Sequence, residues 1–439
     1  SPIGIADYWI WKFANQLDDD YASWQHVRST GSLLAGEGFT MKGPGTGTIL
    51  TDQNYVFNGK PNNGDINLSL SAGNDYLVGN PYASAIDAEQ FILDNGATIS
   101  GAGATTGTLY FWEHWGGGSH ILQEYQGGYG TYTLAGGIPS ASQGTNDPDV
   151  GTGGTPTKTP GRYIPVGQGF FVVAETTGTI NFNNGQRVFQ KEGGTSTFMR
   201  SAKQNANNNT ESTQDMRMKI RIGFNSVNTI HRQLLLTIDE NTTAGVDPGY
   251  DGKLNEGQID DLYWMIGVEK YSIQSVDIVD TESVFPLGIH TNIDGLNNIA
   301  IDALENVPAN LEILVHDKVL NIYHDLRVSN YEFFLLFGEY LDRFEIVFNN
   351  TTFSDTDNEF DSLDTHFSNA LESIIIINPT LKNIKSVELV NILGQSVYSI
   401  QDIPNINYSE FKTNNISSGT YIIKLETETG TLTKKVLVE

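Results

Sequence analysis

The 439-residue chain has no cysteine, which excludes disulfide frameworks, thiolate metal sites and cysteine nucleophiles together. Basic residues are scarce: 25 Lys and Arg stand against 52 Asp and Glu, a net charge of -27. Such a surface repels nucleic-acid backbones and anionic membranes, so neither is expected as a partner. No run approaches the roughly 18 apolar residues that a membrane-spanning helix needs. Walker, HExxH and GxSxG patterns are missing, and no two of the 8 histidines stand four apart. With so many carboxylates, a pair beside a cleft has no specificity without geometry. The chain is therefore read as a non-enzyme that requires no cofactor. Ser1 opens into PIGIADYWIWKF with no leader before it, so a fragment of a longer parent is expected.

What is present divides by composition. Residues 1–201 are rich in Gly and aromatics, 202–215 are a polar linker, 216–349 are strand-rich, 350–357 are an acidic linker, and 358–439 form a terminal domain. In the first region Asp87, with Gln90 three residues on, predicts a capping box ahead of a short helix that ends at Asn95 and Gly96. The Gly, Thr and Pro run from Gly116 to Gly161 is read as a long loop. Met216, Met218, Ile220, Ile222 and Phe224 alternate with Arg217, Lys219 and Arg221, the pattern of a half-buried antiparallel strand. Tyr331, Phe333, Leu335 and Phe337, then Phe344, Ile346 and Phe348, alternate likewise. The expected fold is all-β: tandem β-sandwich domains, one with a short helix and a long Gly-rich loop, ending in a small Ig-like sandwich.

The terminal region carries NILGQ at Asn391–Gln395 with Val397 following, then Ile416, Gly419, Tyr421 and Leu425, then Lys434 and Lys435 in a last strand. By local chemistry Gly394, Gly419 and Gly430 read as turn or bulge glycines between β-branched runs. In this order these residues resemble the type A C-terminal sorting domain of proteins exported by the type IX secretion system of Bacteroidota. The strings LVGNPYASAID (Leu77–Asp87), PVGQGFFVVA (Pro165–Ala174) and His324–Phe348 resemble, more loosely, modules of large flavobacterial surface proteins. The resemblance implies a tail recognised by the type IX translocon and its outer-membrane shuttle barrel. A sortase-like protease would then cut in the stretch Asn350–Asp364. It further implies an exported surface protein, an adhesin or structural protein of the kind that serves attachment or gliding motility. The competing expectation is a carbohydrate-binding accessory region of a secreted polysaccharide-degrading enzyme.

Three lesser sites stand out. The acidic run from Asp355 to Asp361 lacks the Gly and Glu of an EF-hand loop, since Phe360 and His366 occupy those positions. Within VDPGYDGKLNEGQIDD (Val246–Asp261), Asp247, Asp251, Asn255, Asp260 and Asp261 offer oxygen ligands for a structural calcium ion, against the plainer reading of an Asx-capped turn. Five of the six tryptophans fall before residue 116; Trp9, Trp11 and Trp112 read as core, and Trp115 as a glycan-stacking face. Ser362, in Asp361-Ser362-Leu363, matches the short O-glycosylation pattern of the phylum that the tail resembles.

Overall fold

The computed structural model describes residues 7–18, 21–41, 56, 58–100, 103–116, 126–142, 155–191, 215–350, 363–369, 371–378, 381–401, 403–413, 416–428 and 430–438. The fold is all-β, as expected, with one eight-residue helix. The chain makes two compact units. One is Ser1–Val279 with Pro286–His290 and Ile299–Val307; the other is Asp280–Phe285 with Thr291–Asn298 and Pro308–Glu439. Residues on both sides of the 202–215 stretch thus share the first unit, and residues on both sides of 350–357 share the second.

The first unit is built on a six-stranded sheet in the order Ala14–Gln16, Asp75–Gly79, Gly169–Ala174, Thr105–Gly116, Gln126–Thr133, Gly136–Ile138. Side chains alternate between its faces. Val78, Phe170, Val172, Leu109, Phe111 and Tyr132 pack on one face with Phe91 and Ile92 of the helix Ala88–Asn95. Asp75, Phe171, Tyr110, Trp112 and Tyr129 therefore belong to the other face. Asp87 caps the helix by accepting a hydrogen bond from the Glu89 amide, but the expected capping box does not form. Gln90 instead donates to Asp94 one turn on, at 2.8 Å, and Arg162 holds the Asp87 carboxylate at 2.7 Å.

Part of the stretch expected as loop, Gly116–Gly161, forms the strands Gln126–Thr133 and Gly136–Ile138. Glycine is required there by close approach rather than by turning. A Cβ at Gly127 would lie 2.4 Å from Trp112, and one at Gly137 would lie 2.1 Å from the Pro160 carbonyl oxygen. Glycine in a strand marks such crowding.

A second sheet of the first unit runs Asp261–Ile266, Glu269–Val276, His231–Ile238, Lys219–Asn225, with a parallel pairing between the His231 and Glu269 strands. Ile220, Ile222 and Phe224 are buried as the alternation requires, whereas Met216 is exposed ahead of the strand. The basic face is not left to solvent. Arg217 donates to the Leu134 carbonyl at 2.8 Å, Arg221 donates to that of Gly137 at 2.9 Å, and Lys219 is buried in an ion pair with Asp215. Long cationic stems cover apolar surface while their heads reach carbonyls. Ala135 and Ile138 pack beside them on Leu235 and Ile273.

In the second unit the strand Leu311–Asp317 pairs with Ile322–Asp325 and with Gly338–Asn350. Tyr331, Phe333, Leu335, Phe344, Ile346 and Phe348 are buried, but Phe337 is exposed. Its strand stops at Leu335, and the Phe337 amide is turned to the Asp294 carboxylate at 2.7 Å. The terminal region is a small sandwich. Asp364–Ser368, Ser373–Ile377 and Tyr408–Lys412 form one sheet; Ser396–Gln401, Ile384–Asn391, Gly419–Thr427 and Thr431–Val438 form the other. Ile374, Ile376, Val387, Leu389, Ile423 and Leu425 fill the space between them.

Candidate functional site

NILGQ closes the hairpin between the Ile384 and Ser396 strands. Asn391 Oδ1 accepts from the amides of Leu393 (3.0 Å) and Gln395 (2.9 Å), and its Nδ2 donates to Gln395 Oε1 at 3.0 Å. The main chain closes the same turn through Gly394 N–H to Asn391 O and Asn391 N–H to Gln395 O, both 2.9 Å. Gly394 has φ +79°, where an L side chain is strained, and a Cβ there would lie 3.1 Å from Leu320 Cδ2. Asparagine, glycine and glutamine are thus turn-forming residues, whereas Leu393 is 44% exposed and available for contact. Gly419 begins a strand and lacks the positive φ expected of a turn glycine. Tyr421, buried in the core, donates its hydroxyl to the Ser417 carbonyl at 2.9 Å and fixes the chain entering that strand. Lys434 and Lys435 are exposed on the last strand, where Lys435 reaches Glu332 at 2.9 Å.

The acidic loop Val246–Asp261 is anchored on strands of its own unit. The Gly249 amide donates to Thr106 O, and its carbonyl accepts from the Leu134 amide. Gly249 has φ +79°, and a Cβ on facing Gly107 would come within 2.6 Å of the Gly249 Cα. Asp247 caps Thr243, Asp251 accepts from the amides of Asp247 (2.6 Å) and Ser275 (2.7 Å), and Asp260 accepts from Asn228. Asn255 is exposed. Asp261 forms a bidentate pair with Arg232, the two side chains only 2% and 5% exposed. Burial pushes the Asp251 carboxyl up to about 7 against the pull of its two amide donors. Among the described residues no three His, Asp or Glu side chains gather as a metal site. The Trp115 side chain and Ser362 lie outside the described residues.

Sequence reasoning missed a cleft on the non-core face of the six-stranded sheet. Phe13, Trp24, Tyr129 and Phe171 wall a cavity of about 220 Å³, and Asp18, Asp75 and Glu256 line it with carboxylates. The rings form one cluster: Phe171 lies edge-on to Phe13, Trp24 and Tyr129 at 5.6, 6.0 and 5.8 Å. Glu256 accepts from the Tyr129 amide at 3.3 Å. Asp75 is 7% exposed and accepts no hydrogen bond among the described residues. Burial, then the charge of Asp18, raises its carboxyl to about 7. The signal available in the sequence was a single Asp opening an otherwise apolar strand, DYLVG.

The chain belongs to the family described as a domain of unknown function (DUF8693), whose model matches residues 3–348. The model of the secretion system C-terminal sorting domain matches residues 367–439. No curated protein and no solved structure matches the chain. The tail is a type IX sorting signal, which engages that secretion machinery, and the protein is exported to the cell surface or the extracellular space.

Proposed function

We propose that this DUF8693 member serves an adhesive or structural role at the cell surface, where the sorting domain of residues 367–439 delivers it. The sandwich of that tail has its own core, and its export motif closes an exposed hairpin. This observation carries the reading, because a receptor at the translocon needs a surface that is complete before the cargo is engaged. The receptor is a shuttle barrel, and a sortase-like protease cuts between the family domain and the tail, in Asn350–Asp364. Upstream, the role is recognition rather than catalysis. In support, several buried carboxylates serve the fold: Asp261 holds Arg232, Asp317 holds Arg343 and the Tyr331 hydroxyl, and Asp251 accepts two amides.

The test is secretion of a fluorescent reporter fused ahead of residues 358–439, in a type IX-competent host and in its translocon mutant. Export in the first strain alone supports the reading; retention in both overturns it. The surface role is read separately, by comparing attachment of cells with and without the gene.

A further inference from the structure

The cleft beneath Trp24 is the strongest feature that export does not use. It lies wholly within the first unit. Among the described residues its lining combines four aromatic rings, three carboxylates and the Asn255 amide, with no Lys, Arg or His. An aromatic wall without a cation attracts positive charge through the ring quadrupoles, and the carboxylates act in the same sense. Asp75 adds an independent sign. It is buried to more than nine-tenths, faces the cavity, and receives no donor from the described protein. A carboxylate without a protein partner that opens on a cleft is a ready acceptor for a ligand that supplies one.

The shape of the lining selects among cations. The carboxylates come from three separate segments and do not gather as metal ligands among the described residues. They suit a cation that spreads its charge over a larger body. At about 30 Å³ per water, the 220 Å³ cavity holds about seven water volumes, a body of the size of choline. We propose that this cleft binds a small organic ammonium ion of the size and charge of choline. The rings surround its carbon groups, and Asp75 and Glu256 face its charge. The ammonium is either a free solute or the headgroup of a larger surface molecule; the recognition chemistry is the same.

Binding is linked to protons through Asp75. Among the described residues the titratable groups that act on it are Asp18 on the neighbouring segment, Tyr110 and Tyr129 two and three strands across the same sheet, and Glu256 in the cleft lining. Both tyrosines are pushed up by burial and stay neutral, and Glu256 is raised by burial despite the Tyr129 amide and Arg232. Affinity for the cation therefore rises with pH as Asp75 ionises.

The experiment is titration of the full chain with choline chloride, read by calorimetry and by the change in tryptophan fluorescence that Trp24→Phe removes, at about pH 8.5 and about pH 5.5. Saturable binding is expected at the higher pH, weakened about tenfold at the lower pH and about tenfold by Asp75→Asn. An unfolding midpoint of the variant no lower than that of the parent establishes that it is folded. The neutral isostere 3,3-dimethylbutan-1-ol, and glucose, are the controls. The proposal is overturned if either binds as tightly as choline, if Asp75→Asn binds choline unchanged, or if millimolar choline does not bind. Where choline binds, co-sedimentation with phosphatidylcholine vesicles identifies a headgroup ligand, and its absence a free ammonium; either supports the site.

Discussion

Substituting Asn391 separates two meanings of a sorting motif: residues that shape a turn and residues that a receptor touches. Asn391→Ala keeps both main-chain hydrogen bonds of the turn and removes three made by the side chain. These bonds are solvent-exposed, so each contributes about 0.5 kcal/mol, and the loss is about 1–2 kcal/mol. Asn391→Asp keeps the acceptor for the Leu393 and Gln395 amides and loses only the donor to Gln395, at about 0.5 kcal/mol. Gly394→Ala places an L residue at φ +79° for about 1–2 kcal/mol, with further crowding of Leu320. The double variant falls short of the sum, because both changes act on one turn. Leu393→Ala, at an exposed position, leaves stability within about 0.5 kcal/mol. Urea unfolding of the full chain gives the stabilities, and secretion of the same variants gives export. Export should follow stability across the Asn391 and Gly394 variants, with Leu393→Ala falling below that line. Asn391→Ala as stable as the parent refutes the turn argument, and Asn391→Asp exporting worse than Asn391→Ala refutes its extension to export.

Two further outcomes test the first unit. Asp261→Asn leaves the Arg232 guanidinium buried without its counter-charge and should cost about 3–5 kcal/mol, while Arg232→Met combined with Asp261→Leu should recover most of it; equilibrium denaturation that finds the single variant within error of the parent contradicts this. Asp75 and Asp251 both have carboxyls raised to about 7, so the stability they contribute is full below the ordinary carboxylate pKa and is lost as pH rises through about 7. Between about pH 5 and about pH 8 each contributes a fall of about 2 kcal/mol, and the lowered carboxyls of Asp215 and Asp239 do not titrate in that window. A melting temperature that holds level or rises over that range, or a slope unchanged by Asp75→Asn, removes the argument.

The parts of the fold legible in sequence are those in which one local rule acts alone. Asp87 reads as a helix cap because a short acceptor before an apolar stripe has few other uses, and Ile220, Ile222 and Phe224 read as a buried face because a period of two points one way. Reading fails where a distant partner changes the meaning of a residue. Gln90 lost its capping role to Asp94, and the strand QGGYGTYT was hidden because its glycines answer to Trp112 and Pro160 rather than to their own propensity. The basic face of Arg217, Lys219 and Arg221 looks solvent-exposed by composition, yet Arg217 and Arg221 reach carbonyls some 80 residues earlier and Lys219 is buried against Asp215. Two strands of the tail, DTHFS and YSEFK, are too polar for the alternation rule to find.

The two sites differ in legibility for one physical reason. The motif Asn391–Gln395 is a local object: every hydrogen bond that defines it spans four residues or fewer, so its chemistry can be recognised from a string. The cleft is assembled by register. Pairing of Val173 with Asp75 and of Leu77 with Phe171 puts the acid and the ring on one face, and Trp24 and Glu256 arrive from segments about 50 residues before and about 180 residues after Asp75. A one-residue slip of the Asp75 strand would exchange Asp75 for Tyr76 at the cleft and turn the carboxylate into the Val172 core. Burial of Tyr76 and Val78 on that core therefore sets the direction in which Asp75 points. The hydrophobic alternation that looks purely structural in the sequence is what aims the unpartnered acid at its ligand.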